Sequence, residues 1–128
     1  SLADRSQLAK VLKADAFISL HCNASQFAAK GIEVYVSNTD NEFTKKSIAV
    51  GVFIINESTR KLGFKKRGVK FANFKVLRES IAYCPSVLVE MGFMSNTYEA
   101  DYFLKPKNSK AMALTVLMGI TNFLNTGL

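Results

Sequence analysis

A chain of 128 residues suffices for one domain with a real core, and 48% hydrophobic with 21% charged residues is a globular composition that excludes disorder. No apolar run approaches the ~20 residues that cross a bilayer, which excludes a spanning helix. The net charge of +7 points to an anionic partner, whether nucleic acid, acidic lipid or acidic wall polymer, without choosing among them.

The first stretch, "SLADRSQLAK", opens inside a helical pattern with no initiating Met, which points to sequence upstream of Ser1. Residues 3–13 place Leu8, Val11 and Leu12 at helical spacing. "AFISLH" (16–21) is a short apolar strand. "GIEVYV" (31–36) alternates Ile32, Val34 and Val36 with Glu33 and Tyr35, the pattern of a half-exposed strand. "SNTDNE" offers several N-caps for a helix over 42–61 with Phe43, Ile48, Val52 and Ile55 on its apolar face. Gly63 suits the residue that ends it.

From Arg60 to Arg78 there are eight Lys/Arg and no Asp or Glu, a block expected to be mostly loop with a short extended piece near 74–77. "SVLVE" (86–90) is the next strand, between Pro85 and Gly92. "SNTYEADYFL" reads as a short helix with its own N-cap. "NSKAMALTVLMGITNFLNTG" reads as a long one, capped by Asn108 or Ser109 and closed near Gly127. Cys22 and Cys84 fall at opposite ends of strands expected to be parallel. That separation is roughly 15 Å at ~3.3 Å per residue, so both thiols should be free.

Strands alternating with helices predict a single α/β domain over 1–128, a mostly parallel twisted sheet with helices on both faces. Ligands of such sheets bind beyond the carboxyl ends of the strands. Two reactive side chains close strands there: His21 after "FISL" and Glu90 after "SVLV". Glu90 then reads as an acid or base with its pKa tuned by partial burial. The plainer alternatives are a structural histidine and a glutamate that is solvated or salt-bridged to Arg78 or Lys70. The basic block reads as a solvated face, or as a nucleic-acid surface if Phe64, Phe71 and Phe74 stack on bases.

The segments "LADRSQLAKVLKADAFISLHCNAS", "KGIEVYV", "RGVKFANFKVLRES" and "PSVLVEMGFMSN" stand in the order and near-spacing of one family. They resemble the zinc-dependent N-acetylmuramoyl-L-alanine amidases of the amidase-3 type, over essentially the whole chain. The resemblance implies a phosphorylase/hydrolase-like fold and hydrolysis of the amide between N-acetylmuramic acid and L-alanine in peptidoglycan. It implies zinc as cofactor, with His21 as one metal ligand and Glu90 as the catalytic acid/base. The family's other two ligands, a His and a Glu, sit upstream of the first helix. The chain is therefore expected to be a catalytic domain lacking its N-terminal strands and two ligands, and inactive by itself.

A zinc-bound water has its pKa lowered from ~15.7 towards ~7, and Glu90 would take its proton and pass it to the leaving amine. Asn23 is expected to orient the site. Arg67, Asn73 and Arg78 are expected to bind the stem peptide's carboxylates or to support the site, or else to form structural salt bridges. Only "SNTDNEFTKKS" follows the "GIEVYV" strand, too short for a plugging helix, so no activator protein is expected. A monomer in the bacterial cell envelope, periplasmic or extracellular, completes the expectation. A non-catalytic wall-binding module is the competing reading, and a nucleic-acid-binding domain is a weaker one.

Overall fold

The computed structural model describes residues 1–128. Nine elements follow in chain order: α1 (Leu2–Val11), β1 (Phe17–Asn23), β2 (Ile32–Ser37), α2 (Thr44–Leu62), β3 (Lys66–Ala72), α3 (Lys75–Ser80), β4 (Ser86–Phe93), α4 (Thr97–Leu104) and α5 (Pro106–Leu124). The four strands form one sheet in the order β1-β4-β2-β3. β1 runs parallel to β4 and β2 parallel to β3, while β2 and β4 meet antiparallel. The sheet is thus mostly parallel, as expected, with one reversal at its centre. That reversal brings the carboxyl ends of β1 and β4 to the same rim as the amino ends of β2 and β3.

Side-chain alternation along the strands divides the core. Ile32, Val34 and Val36 of β2 and Val87 and Val89 of β4 pack against Val50, Ile54 and Ile55 of α2 and Met112, Val116 and Phe123 of α5. Each such burial stabilises by roughly 1.5–3 kcal/mol. On the opposite face Leu88 meets Val76 and Leu77 of α3, joined by Phe17 and Tyr35. Helices α2 and α5 cross closely at Gly119, where an added Cβ would lie 2.6 Å from the Cα of Ile54.

Several expectations change. Leu8 and Val11 of α1 and Leu12 at its C-cap are exposed, and the helix's buried residues are Ser6 and Ala9. α1 packs against α3, where Ser6 Oγ donates to Glu79 Oε2 at 2.5 Å. The basic block contains β3 and α3 instead of a loop. β3 is an edge strand, so its cations reach solvent or neighbouring carboxylates while its backbone pairs with β2. Gly68 has φ +90 where the β2/β3 register shifts, a place for a residue free of a Cβ.

Helix α2 begins at Thr44 with no side-chain N-cap. Asn41 instead accepts from the Phe43 N–H and donates to the Ile81 carbonyl. Gly63 does end the helix, at φ 72. Helix α5 begins at Pro106, and Asn108 and Ser109 donate to the carbonyls of Tyr102 and Phe103 at the end of α4. Both cysteines are free thiols, Cys22 exposed and Cys84 buried. No helix is long and apolar enough to cross a membrane.

Candidate active site

One register line carries the site. His21 on β1 pairs with Glu90 on β4, and Glu90 pairs with Glu33 on β2. Neighbouring strands lie about 4.8 Å apart, so these three residues stand side by side across the sheet. Leu88 and Tyr35, each two residues along from this line, belong to the α3 face, which places the Glu90 and Glu33 side chains on that face. On that face α3 packs Val76 and Leu77 against Leu88, and α1 packs on α3.

Glu90 answers the problem its sequence poses, an acid closing the run Val87, Leu88, Val89. It is half-buried, and its Oε2 is buried with no hydrogen-bond partner. Burial, and next the negative charge of Glu33, push its pKa up. Neither Arg78 nor Lys70 bridges to it, so the salt-bridged alternative does not hold. A carboxyl with one oxygen free and a raised pKa is equipped to take up and return a proton.

His21 is half-exposed, and its Nε2 lies 2.7 Å from Ser19 Oγ on the same face. Nδ1 has no protein partner, which leaves one imidazole nitrogen open to a ligand.

Glu33 is the residue that strand alternation misplaced. Expected on the exposed face of a half-exposed strand, it is 2% exposed. Its Oε1 accepts from Asn23 Nδ2 and Tyr35 Oη, both at 2.9 Å. Its Oε2 accepts from Arg67 Nε at 2.9 Å and Lys70 Nζ at 2.5 Å. Burial alone raises its pKa, but the hydrogen bonds from Lys70, Arg67 and Tyr35 outweigh it and the net shift is downward. Tyr35 in turn is pushed up to about 12 by burial and by the carboxylate it donates to. The signal that could have found Glu33 is the excess of cations in β3, which need a carboxylate on the adjoining strand.

Asn23 and Arg67, both expected near the site, are therefore gathered there around Glu33. Arg67 also lies over the Phe93 ring, 4.9 Å from its centroid. Asn73 and Arg78 are not. Asn73 lies five residues beyond Gly68, the register partner of Glu33, or roughly 16 Å along the sheet. Arg78 Nη1 donates to Asn73 Oδ1 at 2.8 Å, and the two form a pair of their own.

Five of the eight cations in the basic block contact carboxylates, three carboxylates in all, so the block is partly paired and stays net positive. Arg60 and Lys61 pair with Glu57, Arg67 and Lys70 with Glu33, and Lys75 with Glu79, while Lys66 donates to Asn56. Of its aromatics, Phe64 is core, Phe74 packs edge-on against Tyr35, and Phe71 is exposed. No stacked aromatic platform forms.

No group of three or more His, Cys, Asp or Glu side chains comes together to hold a metal ion. A catalytic zinc takes three protein ligands, so the donors of residues 1–128 do not fit a complete zinc site.

The rim is braced by Glu99 of α4, which is 5% exposed. Its carboxylate accepts from the Gly31 N–H at 2.9 Å and the Phe93 N–H at 2.9 Å. It thereby ties the start of β2, just before Glu33, to the end of β4, just after Glu90. Gly92 leaves room for it: an added Cβ would lie 3.4 Å from Glu99 Oε1 and 2.9 Å from Phe103.

The profile of the amidase-3 family, described as N-acetylmuramoyl-L-alanine amidase, matches residues 1–122. An endolysin of Bacillus phage SPP1 is 35% identical over 126 residues, covering 97% of this chain and 45% of the endolysin. The crystal structure of an N-acetylmuramoyl-L-alanine amidase from Clostridium difficile 630 superposes with a TM-score of 0.88 at 30% identity, covering 98% of this chain and 66% of that one. The CwlD amidase from Clostridioides difficile, solved in complex with the GerS lipoprotein, shares the fold with a TM-score of 0.87 at 24% identity, over 98% of this chain and 62% of its own. The chain thus spans less than half of the endolysin and less than two thirds of either solved neighbour. With the profile matched from Ser1 to Asn122 and the fold shared throughout, the chain belongs to the N-acetylmuramoyl-L-alanine amidase (amidase-3) family.

Proposed function

We propose that residues 1–128 are the part of a peptidoglycan amidase domain that carries the acid/base Glu90 and one metal-binding imidazole, His21. The reaction is hydrolysis of the amide between the lactyl group of N-acetylmuramic acid and L-alanine. The observation that carries this reading is the buried, unpartnered Oε2 of Glu90, in register with His21 on one side and Glu33 on the other. Ionised Glu90 takes a proton from the attacking water. As the C–N bond breaks, it returns that proton to the departing amine, leaving a lactyl carboxylate and a free L-alanine amino group. The raised pKa suits both halves of the transfer, because a stronger base is generated without loss of the acid form.

Zinc dependence requires two further protein donors from outside residues 1–128, and no step is assigned to the metal here. Alone, residues 1–128 hold zinc weakly or not at all and do not turn over, which is the sense in which a non-catalytic reading applies to them. Only Asn38–Phe43 join β2 to α2, leaving no helix at that point to block the site. We read the protein as a monomer that needs no activator and acts in the cell envelope, periplasmic or extracellular. The test is digestion of purified peptidoglycan by the full-length protein without added partners. New amino-terminal L-alanine is the expected product. New reducing sugar ends without free amino termini, or activity only after a partner is added, count against the reading.

A further inference from the structure

We propose that Glu33 is a positioning residue for the reaction assigned to Glu90, a role that rests on that assignment. Its carboxylate is the one group that touches three strands around Glu90. Asn23 reaches it from the end of β1, Tyr35 from β2 itself, and Arg67 and Lys70 from β3. Glu90 stands inside this bracket on β4, next to Glu33 in register but not bonded to it. Because Asn23 lies two residues past His21, its hydrogen bond to Glu33 spans β4 and sets the lateral spacing of His21 and Glu90. That spacing would otherwise depend on β1, an edge strand paired on one side only.

Stability alone does not call for such an arrangement. A buried ion pair often contributes no more than well-packed apolar groups of equal volume. One cation suffices to neutralise Glu33, yet two are held, both on Oε2. Both cations come from β3, so they hold Oε2 towards that strand while Asn23 and Tyr35 hold Oε1. The network therefore fixes the position of Glu33 on both of its oxygens, and with it the distances across the site.

Three measurements on the full-length protein decide it. In Glu33→Gln, kcat should fall by about 10–100-fold with KM within about threefold of wild type, as expected for misplacement of a reacting group without loss of substrate binding. The Arg67 Nε–H resonance, protected from solvent exchange in the wild type by its bond to Glu33, should lose that protection. In the double variant Glu33→Gln/Lys70→Met, which removes one anion and one cation together, melting temperature should return towards wild type while kcat stays low. A Glu33→Gln protein with wild-type kcat, or a double variant whose kcat recovers along with its melting temperature, overturns the role. Glu90→Gln run in parallel separates the two claims: if it still turns over, the assignment of Glu90 itself has failed.

Discussion

Replacing Glu99 by alanine tests whether the rim is held as described. The change leaves two buried donors, the N–H groups of Gly31 and Phe93, without their acceptor. A buried donor stranded in this way costs about 1–3 kcal/mol. Glu99 also lies in the first turn of α4, where Asn96 caps its N–H and a negative charge contributes about 0.3–1 kcal/mol. The sum is about 4 kcal/mol. For 128 residues the entropy of unfolding is roughly 0.27 kcal/mol/K, so the melting temperature should drop by about 15 °C. Glu99→Gln is the informative companion. Its remaining carbonyl oxygen can still accept from Phe93 and Gly31, as Oε1 does now at 2.9 and 3.1 Å, so it should lose about 1–2 kcal/mol. Urea unfolding at constant m-value measures both. Alanine costing under about 1 kcal/mol, or glutamine costing as much as alanine, refutes the bracing role.

Gly119→Ala sets helix propensity against packing. Alanine gains about 1 kcal/mol within a helix, but its Cβ would press to 2.6 Å from the Ile54 backbone, so a net loss of about 1–3 kcal/mol is expected in the same unfolding assay, and a gain contradicts the crossing. Glu33 has a lowered pKa, so its stabilisation is complete above the unfolded carboxylate value of about 4.3 and is lost as pH falls through the folded value. The stability gap between wild type and Glu33→Gln should therefore close in acid, and a gap unchanged at pH ~3 contradicts this. Glu90 has the opposite sign. Its raised pKa costs stability as pH rises past the unfolded value, so Glu90→Gln should be stabilised at neutral pH relative to wild type and lose that advantage in acid. Because five of the eight cations of the basic block are held on carboxylates and no aromatic platform stands beside them, filter binding should find no DNA affinity that falls steeply with salt; a steep slope would reopen the nucleic-acid reading.

The strands that carry His21 and Glu90 were legible because apolar runs of strand length end in them, and so was the rim on which both lie. Glu33 was hidden by its own alternation, which is that of a surface residue. Nothing local shows that the facing cations come from β3, a strand whose charge disguised it as loop. Asn73 and Arg78 follow β3 and bond to each other, not to Glu33, a pairing that no local spacing announces. α1 misled in another way: Leu8, Val11 and Leu12 have helical spacing, yet Ser6 and Ala9 form the packed face because close approach to α3 needs small residues.

The most direct measurement takes the full-length protein with Glu90 changed to glutamine and follows peptide release from peptidoglycan and bound metal in the same sample. With the proton carrier gone and His21 untouched, metal should be retained at the wild-type level and release of L-alanine-terminated peptide should fall at least about 100-fold. Release at the wild-type rate with metal retained would contradict it.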